Sequence, residues 1–127
     1  MRVALDTKRL TDLFCGDADL AAQLGICDEV WIPFVVLGEI KAGFCGGTRQ
    51  TPNELLLSAF LSRKTVRPLY PGRETTEQYG RLFAQLKRAG TPIPDNDLWI
   101  AALALEYDLA LISRDGHFDR IPQLQRA

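Results

Sequence analysis

Short unbroken apolar runs alternate along this chain with segments whose apolar residues return every three or four positions. The runs are Val3-Ala4-Leu5, Val30-Trp31-Ile32 before Pro33, the more polar stretch 65–69, and Leu109-Ala110-Leu111-Ile112. Runs of this length predict strands buried on both faces, as in a parallel sheet. Helical spacing predicts a helix over residues 33–43, one through 55–61, one carrying Tyr79, Phe83 and Leu86, and one after Pro94. Thr51-Pro52-Asn53-Glu54 reads as a capping box, with Thr51 at the N-cap and Pro52 at the first helical position. Gly90 suits the left-handed residue that ends a helix. Strands alternating with helices indicate an α/β domain with a mostly parallel sheet covered on both faces. No repeat or linker divides it, so residues 1–127 read as one domain. In such sheets ligands bind beyond the carboxyl ends of the strands, which gives Asp6 and Asp115 a first claim on function.

Composition narrows this picture. The 127 residues, 46% hydrophobic and 24% charged, suit one core. Lys and Arg total 15 against 16 Asp and Glu, a formal net charge of −1, so contact with nucleic acid must be local. Cys15, Cys27 and Cys45 are odd in number and far apart, with only His117 as an imidazole partner. Reduced cysteines are expected, without a disulfide framework or zinc site. A charge comes too early for a signal peptide, and no apolar run approaches membrane-spanning length, so a cytoplasmic protein without membrane attachment is expected.

Four acids stand out. Glu39, within the 33–43 helix, has Val35, Val36, Ala42 and Gly43 three or four positions away, so it is expected on an apolar face with a cation beside it. That cation is either a metal or an arginine. Asp97 in the first turn after Pro94 is explained by the helix dipole alone, yet it heads the stripe Ile100, Ala101, Ala104. Asp95 is expected as the cap and Asp97 as the ligand. Asp115 lies in Ser113-Arg114-Asp115-Gly116-His117-Phe118, which also reads as a simple Asx turn. Asp12 and Asp119 are expected to be solvated. Acids spread along a chain but facing one crevice are reconciled by a carboxylate-bound Mg²⁺, with Mn²⁺ the other candidate.

Leu5-Asp6-Thr7, Gly38-Glu39-Ile40, Asp97-Leu98-Trp99-Ile100-Ala101-Ala102 and Leu111-Ile112-Ser113-Arg114-Asp115-Gly116-His117-Phe118 resemble PIN domains of VapC-type toxins, in order and spacing, over essentially the whole chain. The resemblance implies a three-layer α/β/α sandwich, a Mg²⁺-dependent endoribonuclease leaving a 5′-phosphate, a VapB-type antitoxin as partner, and homodimerisation. Carried over, the catalytic and metal-binding acids are Asp6, Glu39, Asp97 and Asp115. Thr7 and Ser113 match small hydroxyl positions near the site. The family usually has Asn or Ser where this chain has Lys8, which either reaches a scissile phosphate, competes with the metal for a carboxylate, or points outward from the first helix. Lys8, Arg9, Arg49, Arg114 and Arg120 are the local cations expected to guide RNA, and His117 is a further candidate for the phosphate. Leu55, Leu56, Leu57, Phe60 and Leu61 form a cluster wider than one buried stripe, open either to core packing or to an amphipathic antitoxin helix. The helix from Tyr79 to Leu86 is the candidate dimer surface.

Competing readings fare less well. A receiver domain needs an acidic pair after the first strand and a late lysine, and a haloacid-dehalogenase-type phosphatase needs a second Asp where Lys8 stands. Two alternatives within the resemblance stay open. One is a PIN fold that only binds RNA or protein, and the other is an RNA-processing nuclease outside any toxin–antitoxin pair.

Overall fold

In the computed structural model, which describes residues 1–127, four parallel strands form one sheet in the order β3-β2-β1-β4. β1 (Arg2–Leu5), β2 (Glu29–Pro33), β3 (Val66–Leu69) and β4 (Ala110–Ile112) match the apolar runs. Val3, Ala4 and Leu5 are fully buried on the central strand, where both faces are covered. β3 is the edge strand. That position explains its polar residues, since exposed Arg67 faces solvent and Pro68, which has no N–H to donate, is tolerated at an edge. The opposite edge is covered by the C-terminal tail, where Leu111 N–H donates to Gln125 O at 2.9 Å and Ala127 N–H to Leu111 O at 3.0 Å.

The connections are helical: α1 (Thr7–Phe14) and α2 (Ala18–Gly25), then α3 (Phe34–Cys45) and α4 (Gln50–Leu61), then α5 (Arg73–Ala89) and α6 (Asp95–Glu106). The chain steps from β1 to β2 to β3 in one direction and returns across the sheet to β4. Right-handed crossovers then put α1 to α4 on one face and α5 with α6 on the other, the three layers expected. The reversal lies between β1 and β4, and in open α/β sheets the ligand crevice lies at such a switch point. None of the helices is long and apolar enough to cross a membrane.

Several local expectations are corrected. Thr51 is not a cap: α4 begins at Gln50, two residues before the expected Pro52, no side chain caps it, and Glu54 instead accepts from Lys41 Nζ at 2.9 Å. Pro52 sits in the first turn, where a missing N–H leaves no helical bond unmade. Asp95 is the first residue of α6 and not its cap, because its carboxylate accepts the Tyr79 hydroxyl at 2.8 Å. α2 was not anticipated, although Asp17, which accepts Leu20 N–H at 3.0 Å, is its capping signal. Gly90 behaves as expected, at φ 71° after α5. All three cysteines are free.

α6 carries the core between the sheet and α5. Leu98, Ile100, Ala101, Ala102, Leu103 and Ala104 are all buried, and the alanines let α5 approach closely. Leu103 is fully enclosed, so Leu103→Ala is expected to lower stability by about 2–5 kcal/mol. Urea unfolding checks this, as a lower midpoint at an unchanged slope.

Candidate active site

At the carboxyl ends of β1 and β4 the backbone turns outward and two acids meet. Asp6 ends β1 and caps α1, its Oδ1 accepting Arg9 N–H at 2.9 Å. Its other oxygen accepts the Ser113 hydroxyl. Ser113 Oγ in turn accepts Asp115 N–H at 3.0 Å, so one hydroxyl ties the strand-end acids together. Asp6 is only 4% exposed; an ionised carboxylate at that depth requires these donors. Asp115 opens the 3₁₀ turn Gly116–Arg120 by accepting His117 N–H at 2.9 Å. The Asx-turn reading of Asp115 is therefore met, and the same side chain lines the cleft.

α3 and α6 close the cleft. Asp6, Thr7, Lys8, Glu39, Asp97, Ile100 and Asp115 line a single cavity of about 120 Å³. Glu39 arrives differently from the expectation. The buried face of α3 is Val36, Leu37, Ile40 and Phe44, while Ala42 and Gly43 are exposed. Glu39 thus stands on the open rim, not in an apolar interior, and its Oε1 accepts the Thr7 hydroxyl at 2.8 Å. No arginine pairs with Glu39.

Lys8 is the one cation lining the cleft. Its side chain is 71% exposed and its Nζ lies 3.4 Å from Asp115 Oδ2. Of the three orientations open to it, the structure adopts the pairing with a site carboxylate. The other basic residues are drawn elsewhere. Arg114 pairs with Asp12, as does Arg9 at 2.9 Å, so Asp12 is a bridging acid between two guanidiniums and not a solvated one. Arg120 donates to Pro92 O at 2.7 Å. Arg49 precedes α4. Asp119 is exposed, as expected, and meets Arg126.

His117, expected as a candidate for the phosphate, lies among the acids themselves. Its Nδ1 lies 2.9 Å from Asp97 Oδ2 and 3.1 Å from Asp115 Oδ1, inside the acidic group. The signal available was its position two residues after Asp115 in a turn, which returns the side chain toward the capping carboxylate. Burial pushes the Asp97 carboxyl above the usual range; the hydrogen bond to His117 opposes this, while the charges of Asp115 and Asp6 add to it. The His117 backbone N–H holds the Asp115 carboxyl below the usual range, with the His117 and Lys8 charges assisting against burial. Oxygen donors from separate elements with one imidazole among them suit a divalent cation, since Asp97, Asp115 and His117 offer atoms all within 4.8 Å of one another.

Residues 3–124 match the family described as the PIN domain. The chain is 33% identical over 109 residues to Ribonuclease VapC1 of Haemophilus influenzae strain R2866, covering 85% of this chain and 80% of that one. Among solved structures, VapBC2 from Rickettsia felis bound to a DNA fragment from its promoter is similar with a TM-score of 0.91 and 26% identity, covering 100% of this chain and 98% of that one. VapBC-1 from nontypeable Haemophilus influenzae gives 0.89 and 28%, over 100% and 97%.

The opposite shifts of Asp97 and Asp115 have opposite consequences for stability. Asp97 is harder to ionise folded than unfolded, so it lowers stability near neutral pH and this loss is relieved as pH falls through its raised value. Asp115 adds stability above the ordinary carboxylate range and loses it as pH falls through its depressed value. In EDTA, Asp97→Asn should therefore melt above the native chain near neutral pH, with the gap closing on acidification. Asp115→Asn should melt below it, with that gap also closing in strong acid. Thermal melts across pH check both, and gaps that do not change with pH would contradict the assignment.

Proposed function

Because the chain belongs to the PIN-domain family, in its VapC branch, we propose that the acidic cleft is a divalent-metal-dependent endoribonuclease centre and that the protein is the toxin of a toxin–antitoxin pair. The observation that carries this reading is that Asp6, Glu39, Asp97 and Asp115, from four parts of the chain, line one cleft with a single lysine to offset them. Such a set is unfavourable unless a cation joins it. Mg²⁺ and Mn²⁺ are the two candidate ions for such an oxygen set. When bound, the cation supplies an activated water and neutralises charge on the phosphate.

The chain's own residues have separable tasks. Asp6, Asp97 and Asp115 present oxygens to the cation, and Glu39 does so from the rim with Oε2, which has no protein donor. Ser113 and Thr7 hold Asp6 and Glu39 in place and act as positioning residues, not as substrate ligands. Lys8 neutralises part of the cleft before a cation arrives, and its exposed, flexible stem lets the ammonium turn to an RNA phosphate afterwards. Arg114 pairs with Asp12 and keeps a largely exposed side chain beside the cleft, as a candidate RNA contact.

The partner reading rests on a second surface. Leu13, Phe14, Leu24, Leu56 and Phe60 line an apolar groove of about 290 Å³ between α1, α2 and α4. Of the leucine cluster, Leu57 and Phe60 are core while Leu55 and Leu56 are exposed, which supports an antitoxin helix seated there. Phe83, half exposed on α5, supports a second copy of the chain meeting that helix. In this reading the 127 residues act as one domain in the cytoplasm, where RNA is available.

Asp6→Asn and Asp97→Asn are expected to reduce Mg²⁺-dependent cleavage of an RNA oligonucleotide by more than the roughly 100-fold that loss of an outer-shell partner costs, with the far-ultraviolet circular dichroism unchanged. Full activity in both variants would sink the centre. Lys8→Ala removes a cation that competes for Asp115, so it should lower the metal concentration giving half-maximal cleavage. An unchanged or higher concentration would show that Lys8 does not compete.

A further inference from the structure

His117 brings the only imidazole of the chain into a group of acids, and the metal-dependent reading above leaves its chemistry unused. The ring is placed by the backbone and not by chance side-chain packing. His117 N–H donates to Asp115 Oδ1 at 2.9 Å, which opens the 3₁₀ turn, and the adjacent Phe118 is 1% exposed and anchors that turn on the core. Nδ1 therefore faces Asp97 Oδ2 at 2.9 Å and Asp115 Oδ1 at 3.1 Å. Adjacent ligands on an ion with bonds of about 2.1 Å stand about 3.0 Å apart, so an ion can share these atoms without any movement of the backbone. As a ligand through Nδ1 the neutral ring carries its proton on Nε2.

We propose that His117 ligates the cation held by Asp97 and Asp115 through Nδ1, and that this nitrogen makes the centre prefer Mn²⁺ to Mg²⁺. The inference rests on the metal-dependent reading of the cleft and decides between its two candidate ions. Mg²⁺ is a hard ion that keeps oxygen ligands and several waters. First-row transition dications accept imidazole readily, and their affinity for mixed nitrogen and oxygen sites rises along the series. A cleft lined by carboxylates alone lacks this basis for discrimination.

The test uses the untagged full chain, stripped of metal and then titrated with MnCl₂ and separately with MgCl₂ by calorimetry. The Mn²⁺-loaded protein is examined by electron spin echo envelope modulation, which detects nitrogen bonded to the ion. Expected are nitrogen modulation in the native protein, its absence in His117→Ala, and tighter binding of Mn²⁺ than of Mg²⁺. Loss of Mn²⁺ affinity in His117→Ala should be about 100-fold or more, at least what loss of an outer-shell partner costs, with Mg²⁺ affinity little changed. Native protein that binds Mn²⁺ without nitrogen modulation overturns the His117 assignment and leaves the acidic centre standing. Asp6→Asn and Asp97→Asn proteins that bind Mn²⁺ as the native chain does would overturn the centre itself. The native spectrum requires no variant, so a folding defect in His117→Ala leaves the assignment open to refutation.

Discussion

Carboxylates of like charge crowd one small cleft, and each one ionised raises the cost of ionising the next. Much of the surrounding structure meets that cost. Backbone N–H groups of Arg9 and His117 donate to Asp6 and Asp115, Ser113 joins the two, Thr7 steadies Glu39, and the Lys8 ammonium stands near Asp115. The backbone donors are local to their acids, whereas Ser113 and Lys8 reach theirs across 107 residues of chain and Thr7 across 32. Asp97 has no such backbone support beyond the dipole of its own helix, and it is the acid whose carboxyl is pushed upward.

The sheet order makes the crowding possible. β1 and β4 are neighbours, but β1 leads into α1 while β4 is reached from α6, so the chain direction reverses between them and a crevice opens beyond their carboxyl ends. α3 from one face and α6 from the other close the sides, delivering Glu39 and Asp97. α6 reaches that far in because its alanines allow close packing and Ile100 floors the cleft. The core and the site are thus one construction: the helix that fills the interior also presents the acid.

The molecule separates its two surfaces chemically. The cleft is anionic and small, whereas the groove between α1, α2 and α4 is apolar and larger. Arg9 and Arg114 lie near the cleft in sequence but are engaged with Asp12, which leaves Lys8 as the cation at the acids. With a net charge of −1, attraction for a polyanion is confined to such local charges and to whatever cation the acids hold.

The sequence by itself determined the strands at 3–5, 30–32 and 109–112, the helical connections, and two of the acids. Unbroken apolar runs and strand-end carboxylates are local signals, and their physical cause, burial on both faces of a parallel sheet, acts on a few consecutive residues. The motif resemblance named Glu39 and Asp97 as well, although the helical-wheel argument put Glu39 on the wrong face of α3. Helix beginnings were less legible, because Thr51 and Asp95 are good caps in isolation but Lys41 and Tyr79 compete for the same neighbourhoods. Only the tertiary structure decided that His117 sits among the acids, that Lys8 pairs with Asp115, and that Asp12 pairs with Arg114. Each of those depends on which strand ends lie side by side, and a parallel sheet sets that through crossovers linking residues far apart in the chain, where no local pattern of apolar and polar positions reaches.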